Sequence, residues 1–242
     1  MVKYLYLLLD AFTLIYPLLS SFEPRMHFVS KWSALFLGIG WMALLFIPWD
    51  VLFTMSGVWG FNSTFLTGIQ FLHLPLEEWL FFIVVPYACM FIYEAVIYFI
   101  PSQPLLKISK PLSILLGIGL CVLGCLFYDR WYTSLTFVAA GIGLLLHTLW
   151  IRQTYMGHFY LAFLFWLIPF FLVNGILTGS YLPQPIVWYN DAENLGIRLT
   201  TIPVEDSIYL LLMMLIITTV YENKLNRFLK PKEDSPAIPV AD

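Results

Sequence analysis

Charge is scarce in this chain. Only 11% of its 242 residues are Asp, Glu, Lys or Arg, less than half of the roughly 25% that lets an ordinary fold face water. Positive charge is the scarcer sign, with 12 Lys and Arg against 15 Asp and Glu, so there is no basic field for a nucleic-acid partner. Cysteine is nearly absent. Cys89, Cys121 and Cys125 each sit in an apolar run, which gives no disulfide framework and says nothing about redox compartment. The four histidines, His27, His73, His147 and His158, show no ligand spacing, and no glycine-rich dinucleotide fingerprint follows a strand. Neither a metal nor another cofactor is therefore expected. What remains is apolar: 60% of the chain, with 18% aromatic. Such a composition belongs to an integral membrane protein with lipid as its main surroundings.

A hydrocarbon core about 30 Å thick requires roughly 20 apolar helical residues. Seven stretches are expected to span it, at about 4–20, 32–53, 76–100, 111–128, 131–150, 159–178 and 204–222. Proline and polar residues punctuate the gaps, as in Pro101-Ser102-Gln103-Pro104 and Pro183-Gln184-Pro185. The runs do not alternate apolar with polar, which favours helices over a barrel. Only Lys3 precedes the first run and no small-residue cleavage site follows it, so it reads as a retained helix and not a signal peptide. Arg25, Lys31, Lys107, Lys110, Arg152, Lys224, Arg227, Lys230 and Lys232 fall on the side of the C-terminus, against Lys3, Arg130 and Arg198 on the other. The positive-inside rule then places the N-terminus outside and the C-terminus in the cytoplasm.

The chain repeats itself. GIQFLHLPLEE, from Gly68 to Glu78, returns as GIRLTTIPVED, from Gly196 to Asp206. At the same offset of 128, Phe81 matches Tyr209 and Tyr93-Glu94 matches Tyr221-Glu222. Val58-Trp59 resembles Val187-Trp188 one residue out of register, and Asp50 corresponds to Asn174. The expected fold class is all-α: a polytopic membrane protein with seven transmembrane helices, tandem parallel three-helix repeats and a connector helix. The repeats occupy 1–100 and 131–229, the connector 101–130, and a disordered cytoplasmic tail 230–242. The third and seventh spans lie four apart and so cross in the same direction, which relates the repeats by an axis along the membrane normal. Both acidic motifs then lie at one depth and converge on one cavity.

Pro75-Leu76-Glu77 suits a helix start, with proline early and an acid complementing the helix dipole. That accounts poorly for two adjacent acids in each copy, Glu77-Glu78 and Glu205-Asp206, because ionisable residues at an apolar span usually mark function. Paired carboxyls can share a proton and titrate together, which suits proton transfer. Glu77 and Phe81 are one helical turn apart, as are Glu205 and Tyr209, so the second copy offers a hydroxyl to its acid and the first only a ring. Trp49, Trp59, Phe61, Trp79, Phe82, Trp188 and Tyr189 crowd the same end. They fit an interfacial belt, and their faces also suit a cation.

These residues carry a family resemblance. The series Asp50, Trp59, Gly68, Pro75-Leu76-Glu77-Glu78 and the series Val173-Asn174-Gly175, Gly196-Ile197-Arg198, Ile202-Pro203-Val204-Glu205-Asp206 resemble the non-flavin lycopene cyclases, in their short fused form. The resemblance implies cyclisation of the linear carotene lycopene with no net redox change. It leaves ring type and exact substrate open, since relatives close ε rings or act on other terpenoids, and the expected product is β-carotene by way of γ-carotene. It also implies a lipophilic polyene partner, with other carotenoid-pathway enzymes as further partners. Glu77 and Glu205 are then expected to transfer protons, tuned by Glu78 and Asp206, with Asp50, Trp59, Phe81, Asn174, Trp188, Arg198 and Tyr209 in support. His73 reads as a surface residue in preference to a proton relay. The competing class is a proton- or cation-coupled small-solute transporter with parallel repeats. A rhodopsin is excluded because span 204–222 lacks a lysine, and a membrane prenyltransferase because its Asp-rich metal motifs are missing.

The orientation is directly testable. Reporter fusions after Pro101 and at the C-terminus are expected to read cytoplasmic, and one in the 181–194 loop external. A cytoplasmic reading from that loop overturns the span assignment.

Overall fold

The computed structural model describes residues 2–151 and 154–227. The expected tail 230–242, and the charges of Arg152, Lys230 and Lys232 used for orientation, lie outside the described residues. Among the described residues there are seven α-helices: α1 (Leu5–Ser20), α2 (Trp32–Met55), α3 (Leu76–Phe99), α4 (Leu106–Leu126), α5 (Trp131–Leu146), α6 (Met156–Leu177) and α7 (Val204–Leu225). The fold is all-α and polytopic. α2 to α7 are each long and apolar enough to cross a membrane. α1 has 16 residues, about 24 Å of helix at 1.5 Å per residue, and is shorter than the expected first span. Pro111 does not start the fourth helix as expected. It lies inside α4, just as Pro17, Pro48, Pro86 and Pro169 lie inside α1, α2, α3 and α6; in a bundle, neighbouring helices tolerate the lost backbone bond.

Short strands join the helices at one end. β1 (Trp59–Phe61) pairs antiparallel with β4 (Val187–Tyr189), with Gly60 opposite Trp188. A Cβ on Gly60 would approach the Trp188 ring to 2.4 Å, so any larger residue there requires the indole to move. Two hairpins flank this ladder. β2 (Gln70–Phe71) pairs with β3 (Leu74–Pro75), and β5 (Arg198–Leu199) with β6 (Ile202–Pro203). Each hairpin is entered through a glycine in the left-handed region, Gly68 at φ +91° and Gly196 at φ +70°, a conformation other residues rarely adopt. That requirement explains the glycine in both copies of the motif. Each hairpin runs straight into a helix, and Leu76 N–H donates to Ile69 O at 2.9 Å as Val204 N–H donates to Ile197 O at 3.0 Å.

The helices exchange partners across the chain. α1 packs on α3 and α5 on α7, but α2 packs mainly on α7 and α6 on α3, while α4 lies along α5. α3 and α7 are central: 61% of each span is buried, against 28–33% for the other candidate spans. At the end away from the strands they are tied by crossed bonds. Tyr93 Oη donates to Glu222 Oε1 at 2.9 Å, and Tyr221 Oη donates to Glu94 Oε1 at 2.8 Å. Arg227 ion-pairs with both glutamates, and Lys31 pairs with Glu94.

Breaking a buried ion pair from one side costs about 3–5 kcal/mol, because the remaining charge is stranded. Arg227→Met is therefore expected to lower the melting temperature and the membrane abundance sharply, and Lys31→Met to do so less, since Glu94 keeps Arg227. Thermal unfolding of the detergent-solubilised protein checks this; equal melting temperatures for wild type and Arg227→Met would show the cluster contributes nothing.

Candidate functional site

Both acidic pairs open their helices at the strand-capped end. The first acid of each pair turns back onto its own loop. Glu77 Oε1 accepts from the N–H of Thr67 at 2.6 Å. Glu205 Oε1 accepts from the N–H of Leu195 at 2.8 Å and from Thr133 Oγ1 at 2.6 Å. These donors stand at corresponding places, one residue before the left-handed glycine. The Gly-to-Glu motif is thus a self-closing loop, in which the acid fixes the chain that leads into its own helix. Both side chains are fully buried, and neither is among the residues that line the central cavity.

The second acid of each pair does. Glu78 and Asp206 face one central cavity of about 70 Å³, together with Asp50 and Asn174. Every helix except α4 contributes to its wall. Tyr6 Oη donates to Glu78 Oε2 at 2.7 Å. Asp206 accepts three bonds: from Tyr132 Oη, from Asn174 Nδ2 at 2.8 Å, and from Tyr189 Oη at 2.9 Å. Asp50 Oδ1 accepts from Trp59 Nε1 at 2.6 Å, whereas its Oδ2 has no protein partner. Three carboxyls thus meet in one buried volume, with an amide where a fourth would complete the symmetry.

Aromatic rings close that volume. Trp59 meets Tyr132 edge-on at 5.0 Å, Tyr132 stacks on Tyr189 at 5.9 Å with 15° between planes, and Tyr209 lies 6.2 Å from Trp59. Phe81 lines the wall on the α3 side. The expected hydroxyl from Tyr209 to Glu205 is not made. Glu205 is oriented by Thr133 instead, and the Tyr209 Oη is buried without a protein partner.

Of the residues expected in support, Asp50, Trp59, Phe81, Asn174 and Tyr209 line the cavity. Trp188 and Arg198 do not. Trp188 is half-exposed, lying over Gly60 in the strand ladder. Arg198 ion-pairs with Asp191, donates to Thr201 O at 3.0 Å, and sits over the Tyr189 ring at 5.6 Å. Its hydrogen bond and charge hold the Asp191 carboxyl below its ordinary range. His73 is exposed in the turn between β2 and β3. Tyr6, Tyr132 and Asp10 went unnoticed in the sequence. The two tyrosines stand at an offset of 126, near the starts of α1 and α5, close to the offset of 128 between the acidic motifs. Asp10 is buried in α1, beside Glu77, with one oxygen unpartnered. Among the described residues no cluster of His, Cys, Asp and Glu is placed to hold a metal ion.

A model of the lycopene cyclase family matches this chain at residues 3–96 and 129–223. The two matched segments leave α4 between them. No curated protein and no solved structure matches the chain.

The loop-closing role of the first acids is open to a simple test. Gln at 77 or 205 keeps an oxygen for the loop N–H, whereas Leu leaves a buried donor unpaired, at about 1–3 kcal/mol. Glu77→Leu and Glu205→Leu are expected to lower folded abundance and melting temperature, with the Gln variants near wild type. Leu variants as stable as the Gln variants would remove the loop-closing role.

Proposed function

The chain belongs to the lycopene cyclase family, and from that premise we propose that the central cavity closes an end ring of lycopene by proton transfer, giving β-carotene by way of γ-carotene. The observation that carries this reading is the meeting of Asp50, Glu78 and Asp206 in one small, aromatic-walled volume. A protonated carboxyl adds its proton to the terminal double bond and leaves a tertiary cation. The neighbouring double bond attacks that cation, forming the ring C–C bond and moving the charge onto the ring. A carboxylate then removes a ring proton and restores a double bond. One proton enters and one leaves, so substrate and product are isomers and no electrons are exchanged.

The hydrogen bonds support a division of these roles. An ionised carboxylate only accepts, and Asp206 receives three donors, so it is the proton acceptor. Glu78 receives one donor, and Asp50 keeps an oxygen without a partner; these two carry the proton that is delivered. Trp59, Tyr132, Tyr189 and Tyr209 turn ring surface towards the cation, where quadrupole attraction stabilises it. Glu77 and Glu205 act as positioning residues, since each fixes the first turn from which the next acid projects.

We read the whole as two copies of a three-helix unit, 1–100 and 131–229, joined by the connector 101–130. The exchanged packing of α2 and α6, and the single ladder formed by β1 with β4, support that reading. One site with unequal halves results, in place of two sites.

Expression in a lycopene-accumulating bacterium, with pigments separated by chromatography, tests the function. Wild type is expected to convert the red acyclic pigment to cyclised products. General acid–base groups contribute about 10²–10⁴-fold, so Glu78→Gln, Asp206→Asn and Asp50→Asn are each expected to leave the cells red at normal protein abundance, while Glu77→Gln and Glu205→Gln retain most activity. Unchanged lycopene with folded, inserted wild type would falsify the cyclase reading; active Glu78→Gln beside dead Glu77→Gln would return the chemistry to the first acids.

A further inference from the structure

A second cavity opens beside the carboxyls. It holds about 420 Å³, within the roughly 300–1,000 Å³ of small-molecule pockets, whereas the carboxyl cavity holds about 70 Å³. The smaller space fits a reacting end and not a long polyene. Phe81, Val85, Phe170, Asn174 and Leu210 line both cavities, so the two are neighbours across these side chains.

The larger cavity is long and apolar. On α3 it is lined by residues 81, 85, 88, 89, 91 and 92. Most of these follow the 3–4 residue spacing of a single helix face, and Glu78 heads that same stripe. From Phe81 to Ile92 the stripe runs about 16 Å at 1.5 Å per residue. Of the two side-chain hydroxyls that α1 brings to it, that of Thr13 is bonded to Leu9 O at 2.8 Å, and that of Tyr16 belongs to an exposed ring. Deeper in, Trp166 Nε1 donates to Cys89 O at 2.6 Å, so the indole N–H is satisfied. The lip is formed by Phe12, Tyr16 and Leu172, which are 76%, 70% and 66% exposed. In a spanning bundle these face lipid, so the mouth lies sideways between α1 and α6.

The corresponding stripe on α7 is filled. Tyr209 meets Phe46 at 4.7 Å and Trp49 at 5.5 Å, and a Cβ on Gly38 of α2 would stand 2.9 Å from Ile217 O. α2 therefore lies directly on α7 where the second channel would run.

We propose that the cavity between α1, α3 and α6 is the binding channel for the linear arm of the polyene, entered from the lipid, with one end of the molecule at the carboxyls. This rests on the cyclase reading. It means that one protein chain holds one end of one substrate, and that the second ring requires release, reversal and re-entry.

Cys89 gives a readout other than activity. Membranes containing the wild-type chain are treated with a lipid-soluble maleimide, with and without added lycopene, and labelled cysteines are mapped by mass spectrometry. Cys89 is expected to label in lycopene-free membranes and several-fold more slowly with lycopene, with Cys121 and Cys125 on α4 unchanged. No labelling of Cys89 without lycopene, or an equal rate with it in membranes that cyclise lycopene, overturns the channel and leaves the cyclase reading standing. Protection of Cys89 without any cyclised pigment supports the channel and removes the cyclase reading. Filling the channel with Ala88→Phe is expected to cut cyclised product about tenfold or more at normal abundance, since small displacements of a reacting end are that costly; full activity of a folded Ala88→Phe protein counts against the channel. In a time course the one-ringed carotene is expected free before the two-ringed product, and two rings appearing with no free one-ringed carotene overturns re-entry.

Discussion

A carboxyl inside an apolar bundle must find its donors in the protein, because lipid offers none. That requirement organises this chain. At the end away from the strands, Glu94 and Glu222 are met by tyrosines from each other's helix and by Arg227 and Lys31. At the strand-capped end, Glu77 and Glu205 are met by loop N–H groups, Glu78 by Tyr6, and Asp206 by Tyr132, Tyr189 and Asn174. Almost every such bond joins two different elements. α3 and α7 carry most of the acids, and so these two helices lie at the centre with the others around them.

Near-equivalence with small departures gives the site its character. Positions related by the repeat hold Asp50 and Asn174, Phe81 and Tyr209, Asp10 and Thr136. Each departure removes a carboxyl or adds a hydroxyl on one side only. A symmetric arrangement would present equal acids from both halves. This one surrounds Asp206 with donors and leaves Asp50 and Tyr209 with unpartnered atoms. The same inequality extends down the helices, where the α3 stripe below Phe81 is open and the α7 stripe below Tyr209 is packed against α2.

Much of this was legible in the sequence, and the rest was hidden for identifiable reasons. The helices announce themselves through apolar runs that no soluble fold would expose, and the repeat through fixed spacings around Gly68 and Gly196. Pro111 misled because a proline that would break an isolated helix is tolerated in a packed bundle. Glu77 and Glu205 drew attention because they hold the matching Pro-x-Glu positions. Adjacent residues on a helix point about 100° apart, and here the first acid of each pair turns to its loop while the second faces the cavity, a division the motif alone does not reveal. Tyr6 and Tyr132 resemble ordinary interfacial aromatics, and their pairing with Glu78 and Asp206 depends on helices 70 or more residues away. Trp188 drew attention as a match for Trp59, but the strand pairing sets it against Gly60.

The exchange of α2 and α6 between the halves bears on how the chain is made. α2 finds its main partner only in α7, and Glu94 finds Tyr221 and Arg227 only there. Synthesis at about 5–20 residues per second needs roughly 5–20 s to cover the hundred or so residues from the end of α3 to the start of α7. Throughout that interval the inserted first half holds a helix without its principal neighbour. Tyr6 and Lys31, the partners of Glu78 and Glu94 in the folded chain, are both synthesised before α3 is complete, whereas Tyr221 and Arg227 reach Glu94 only after that interval.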